Sequence, residues 1–74
     1  MYIKNWGSHM KGIVNWYNDR SKQGLIEGQN GESVMVYEKD LPFLTILHAG
    51  DPVEYTTAKT DIGIKAIKIK EITQ

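Results

Sequence analysis

The sequence predicts an all-β domain, a small barrel or sandwich of five strands. Three observations carry this. Polar and glycine-containing breaks recur at short intervals, at Asn18-Asp19-Arg20-Ser21, Gly28-Gln29-Asn30-Gly31, Ala49-Gly50-Asp51-Pro52 and Lys59-Thr60-Asp61 with Gly63. The stretches between them are of strand length and rich in Val, Ile, Tyr and Thr. Short strands at this spacing point to a barrel or sandwich rather than to alternating strands and helices.

Strands are expected at Met10–Asn18, Gln23–Gly28, Ser33–Glu38, Pro52–Thr57 and Gly63–Glu71. The Asn30-Gly31 pair marks a hairpin between the second and third. In the third, Val34 and Val36 share one face while Met35 and Tyr37 share the other. In the second, Ile26 opposes Gln23, Leu25 and Glu27; only one face of each strand can be core. The fourth offers Val53 and Tyr55 inward, with Glu54 and Thr56 outward. The fifth changes parity: Ile62, Ile64 and Ala66 are in one phase, Ile67, Ile69 and Glu71 in the other. A bulge between Ala66 and Ile67 would reconcile them. The segment from Lys39 to Ala49 contains Leu41-Pro42-Phe43-Leu44-Thr45-Ile46-Leu47. Pro42 argues against a central strand, so a turn at Lys39–Leu41 followed by a long apolar connection is expected.

With 74 residues the chain holds one domain. It has no cysteine, which excludes a disulfide or thiolate metal site. Gly7-Ser8-His9-Met10 matches the remnant left between a cleaved tag and a start codon, so residues 1–9 are set apart from the domain at residues 10–74. Only His48 then remains as a native histidine; no metal or cofactor is expected, and no Ser/His/Asp or Cys/His set can be assembled, so the chain reads as a non-enzyme. Basic and acidic residues number 9 each. A phosphate-binding surface would have to come from local placement of charge, since there is no basic excess. No apolar run approaches the roughly 18 residues of a membrane span, and a soluble, cytoplasmic protein is expected.

Lys11-Gly12-Ile13-Val14-Asn15-Trp16-Tyr17-Asn18 resembles the opening strand of the cold-shock family, K-G-x-V-K-W-F-N. The family continues x-x-K-G-F-G-F-I, its first ribonucleoprotein motif; here the positions read Asp19-Arg20-Ser21-Lys22-Gln23-Gly24-Leu25-Ile26. Its second motif, V-F-V-H-F, corresponds to Val34-Met35-Val36-Tyr37-Glu38. Gly50-Asp51-Pro52-Val53-Glu54-Tyr55 is similar to G-x-x-V-x-F, and Gly63-Ile64-Lys65-Ala66-Ile67-Lys68-Ile69 to G-P-x-A-x-x-V. The likeness covers Met10 to about Ile72. It implies a five-stranded antiparallel oligonucleotide-binding barrel (OB-fold), cold-shock-like, that binds single-stranded RNA or DNA.

The two classes of position diverge. Those resembling the family's core are kept: Val14, Ile26, Val34, Val36, Val53, Tyr55 and Ile69. So are the glycines Gly12, Gly24 and Gly63. Those that carry nucleic acid in the family are mostly changed: its stacking aromatics are replaced by Gln23, Leu25, Met35 and Glu38, its histidine by Tyr37, the lysine before its tryptophan by Asn15, and the basic residue of its first motif by Ser21, with Lys22 following. The loop from Glu38 to Gly50 is also shorter than is typical. The resemblance implies a face made of Lys11, Trp16, Tyr17, Asn18, Lys22, Met35 and Tyr37, with Phe43 brought up from the long loop. Arg20 and Lys39 are further basic candidates; Glu27 and Glu38 would oppose phosphate. Each lost stack removes about 1–3 kcal/mol, so the expected binding is weak or altered. The alternative is a protein-interaction or homodimerising module that kept the barrel and contacts its partner through the apolar Phe43–Leu47 loop. Lys65, Lys68 and Lys70 form either a basic strip or a solvated strand face.

Overall fold

A computed structural model describes residues 10–72. Five strands follow one another: β1 (Met10–Asn18), β2 (Gln23–Gly28), β3 (Ser33–Tyr37), β4 (Pro52–Thr60) and β5 (Gly63–Glu71), with a short 3₁₀ turn, η1 (Glu38–Asp40), after β3. They close into a barrel in the order β1-β2-β3-β5-β4. The architecture is all-β and consistent with an OB-like fold. Three strands keep their expected limits, β3 stops one residue early at η1, and β4 runs three residues further than expected.

The expectation of a wholly antiparallel barrel is corrected: β3 and β5 pair in parallel, with Met35 opposite Lys65. The other four contacts are antiparallel. The reason is arithmetic. Alternating direction around a closed ring needs an even number of strands, so a ring of five must contain one parallel seam.

The core follows the alternation. Val14, Ile26, Val34, Val36, Val53, Tyr55, Ala66 and Ile69 are buried inside the barrel. Each fully buried aliphatic side chain contributes about 1.5–3 kcal/mol relative to exposure, and with no cysteine in the chain this burial carries the stability. Burial raises the Tyr55 hydroxyl above its ordinary pKa, and Glu32 raises it further. Thr56 departs from expectation. It is only 8% exposed rather than outward, because the pairing of β4 with β5 shifts register between Glu54 and Thr56.

That shift is the bulge foreseen in β5, placed one to two residues later than expected. Glu54 faces Lys70 and Thr56 faces Ile67, so β5 spends two residues where β4 spends one. Lys68 takes φ +52 there, and the parity change brings Ile69 to the same interior as Ala66. A second bulge was not foreseen. In β1, Val14 faces Ile26 but Trp16 already faces Leu25, leaving Asn15 as the extra residue. The bulge is tied down from the other side: the Val14 N–H donates to the Asp51 carbonyl at 2.9 Å, and the Gly50 N–H donates to the Val14 carbonyl at 2.7 Å.

The long connection after η1 divides its apolar residues. Leu47 is 3% exposed and belongs to the core, and Leu41 packs against it. Phe43 and Leu44 are 90% and 84% exposed, and Ile46 is exposed as well. Leu44 adopts φ +65, an uncommon region for a residue with a side chain. Among the described residues no helix is long and apolar enough to cross a membrane.

Candidate functional site

The register of the sheet assembles one outer face. Trp16 lies opposite Leu25, Leu25 opposite Met35, and Met35 opposite Lys65. One step along the strands, Asn18 lies opposite Gln23 and Gln23 opposite Tyr37. Residues directly across a sheet sit about 5 Å apart on the same side, so these two rows make a continuous surface over β1, β2, β3 and the start of β5. Trp16 is 41% exposed; Leu25, Met35, Gln23 and Tyr37 are half-buried. An indole and a phenol therefore flank an aliphatic pair, on the side of the sheet away from the core.

The Asn15 bulge decides which aromatic of β1 reaches this face. Without it, regular pairing would set Asn15 against Leu25 and Trp16 against Gly24, turning the indole inward. With it, Trp16 faces outward and Tyr17 takes the place opposite Gly24. Tyr17, expected on the face, instead packs half-buried against the core, and burial raises its pKa with help from Glu38 and Asp19. Gly24 is what makes room for it: a Cβ there would sit 2.7 Å from the Tyr17 ring and 2.5 Å from the Trp16 carbonyl oxygen.

The other expected site residues are dispersed. Lys11 lies at the far end of β1, opposite Glu54 and separated from the aromatic rows by Ile13 and Glu27, which are paired to each other. The Asn18 side chain serves its own turn: its Oδ1 accepts the N–H groups of Arg20 at 2.8 Å and Ser21 at 3.2 Å. Lys22, held at φ +61, places its Nζ 3.6 Å from Glu38. Met35 and Tyr37 are on the face. Phe43 lines a groove of about 610 Å³ with Asp19, Lys22, Glu38, Leu44 and Ile46. Two residues of this groove, Lys22 and Glu38, adjoin Gln23 and Tyr37 in the chain.

Sequence reasoning left out two residues of the face as ligand contacts, Gln23 and Leu25, and missed the pairing of Lys65 with Asp40. The lysine's Nζ lies 3.0 Å from Asp40 Oδ2, both side chains being about four-fifths buried (20% and 19% exposed). That oxygen is shut off from solvent and has no hydrogen bond, and among the described residues its partner is the lysine charge. The supposed strip of Lys65, Lys68 and Lys70 is broken by the bulge: Lys65 turns to Asp40, Lys68 occupies the bulge, and Lys70 stands opposite Glu54. Among the described residues no three His, Asp or Glu side chains are grouped so as to hold a metal ion.

No family model and no curated protein matches the chain.

Proposed function

We propose that the barrel binds single-stranded nucleic acid, RNA or DNA, weakly, on the face formed by Trp16, Leu25, Met35, Gln23 and Tyr37. The observation that carries this reading is the outward Trp16 in register with Leu25 and Met35. Two aromatics and an aliphatic platform on one side of a sheet offer unpaired bases something to stack on, at about 1–3 kcal/mol per base. Lys39 lines a hollow with Tyr37, and Lys22 precedes Gln23 in the chain; these supply the basic groups for phosphate. The resemblance to the cold-shock family points the same way, and the loss of that family's aromatics sets the expected affinity low. With no basic excess, the salt-dependent part of binding comes from the few lysines placed beside the face.

The test is a fluorescence titration of the full chain carrying Trp6→Phe, which leaves Trp16 as the sole indole. A thymine- or uracil-only oligonucleotide is added at low salt. Saturable quenching that weakens with added salt supports the reading. No quenching at high micromolar oligonucleotide, with the fold intact by circular dichroism, sinks it.

The second reading, a protein-interaction or dimerising module, is favoured by the exposed Phe43, Leu44 and Ile46 on a loop pinned by Leu47. A mass of two subunits in light scattering, lost on Phe43→Ser, would favour it.

A further inference from the structure

We infer that the turn Glu38–Asp40 acts as a built-in phosphate mimic, competing with a nucleic-acid backbone for the two lysines that flank the aromatic face. The inference rests on the binding reading above and adds a control element to it.

Lys22 and Lys65 stand on either side of β3. Lys22 leads into β2, and Lys65 lies on β5 directly opposite Met35. Between them β3 carries Met35 and Tyr37, so a strand crossing the face over Tyr37 would pass one lysine and then the other. Both are already engaged by carboxylates from a single three-residue turn: Glu38 lies 3.6 Å from Lys22, and Asp40 lies 3.0 Å from Lys65. The turn can do this because of its geometry. A 3₁₀ helix has three residues per turn, so positions two apart diverge by about 120° and point to different sides. Lys39, between them, lines a hollow with Tyr37, Ile62 and Lys65. The turn starts immediately after Tyr37, fixed on one side by the Glu38 N–H donating to the Lys22 carbonyl at 3.0 Å and closed by the Leu41 N–H donating to the Glu38 carbonyl at 3.0 Å.

The two pairs differ in how easily they open. Lys22–Glu38 is solvated, with both side chains more than half exposed, so an incoming phosphate can displace Glu38 at little cost. Lys65–Asp40 is largely buried, and separating it leaves a carboxylate oxygen with no other partner among the described residues. Glu38 therefore sets affinity and salt dependence, while Asp40 holds Lys65 back more firmly.

The test titrates the Trp6→Phe full chain and its Glu38→Gln variant with a thymine-only oligonucleotide over a range of salt. Glu32→Gln, in the β2–β3 loop, is the control for the same change in net charge. Glu38→Gln should bind about three- to tenfold more tightly at low salt. Its plot of log affinity against log salt should be steeper by about 0.7, the value for one more neutralised phosphate on a single strand. Glu32→Gln should leave both quantities near the parent's. Binding of the parent with no gain in Glu38→Gln, or an equal gain in Glu32→Gln, would overturn the mimic and leave the binding reading intact. Absence of quenching in parent and variants alike would end both. Asp40→Asn should tighten binding in the same direction; if circular dichroism shows it unfolded, Glu38→Gln, at the exposed pair, decides alone.

Discussion

Trp16 and Tyr17 are neighbours in the chain and differ in everything that matters to a ligand. The indole stands on the outer face across from Leu25, and the phenol closes against the core over Gly24. Substituting each separates recognition from stability. Trp16→Ala should weaken oligonucleotide binding at least tenfold, about 1.4 kcal/mol or more, and leave the melting temperature nearly unchanged. Tyr17→Ala should lower the melting temperature with a smaller effect on affinity. A titration and a thermal melt on each variant check the split; equal affinity loss in both would mean that the face is assigned wrongly. A further residue-level effect concerns Glu71, whose pKa is raised by its hydrogen bond with Asp51, by burial and by the Asp51 charge, with His48 opposing. The folded chain holds this proton more tightly than the unfolded one. The contact therefore contributes in full below the ordinary carboxylate range and is lost as pH rises through the raised folded value. Glu71→Gln keeps a donor at every pH. It should melt above the parent at pH 7 and together with it near about pH 3.

At the scale of elements, the connection after η1 behaves as part of the barrel. Leu47→Ala should cost about 2–5 kcal/mol, the range for truncating a buried leucine, whereas Leu44→Ala should cost little; urea melts distinguish them. Lys68 holds a left-handed conformation at the β5 bulge, so Lys68→Gly should relieve strain and stabilise by about 0.5–1 kcal/mol. The strands were legible because Val34, Val36, Val53 and Tyr55 alternate without interruption, and the parity break in β5 announced its bulge through the apolar pattern itself. The β1 bulge left no such trace. Ile13, Val14, Trp16 and Tyr17 are all apolar or aromatic, so a slipped register reads as well as the true one; the expected place of Tyr17 on the face rests on the family resemblance alone. Thr56 was misread for the same cause, a register shift that period-two reasoning passes over. On the outer face, Trp16, Met35 and Tyr37 coincide with positions that the resemblance singles out. The Lys65–Asp40 contact was not legible, because it joins residues 25 apart, and a ring of five strands requires a parallel seam without fixing which side chains meet beside it.

For the whole molecule, the seam is where the barrel is least securely joined. One residue pair, Met35 with Lys65, registers β3 against β5, while seven register β4 against β5. Amide protons along the β3–β5 seam should therefore exchange with solvent faster than those between β4 and β5, measurable by hydrogen exchange under native conditions. The Lys65–Asp40 ion pair spans the same place. Asp40→Asn should speed exchange at the seam as well as alter binding, tying the integrity of the barrel to the charge on the face.

An odd ring of strands also bears on how the barrel assembles. β1, β2 and β3 can form successively through short turns, and β4 with β5 through the turn at Asp61 and Ile62. Neither unit is closed alone. Joining them requires β1 to find β4, and β5 to find β3, across the whole connection that carries Leu47. These are contacts of long sequence separation, whose loop entropy must be met before they repay it. Of the two, the β1–β4 contact closes the longer separation, and the parallel seam, registered by a single pair, is expected to open first. Changes at Met35 or Lys65 should appear mainly in the unfolding rate, while changes within the β2–β3 hairpin should slow folding itself.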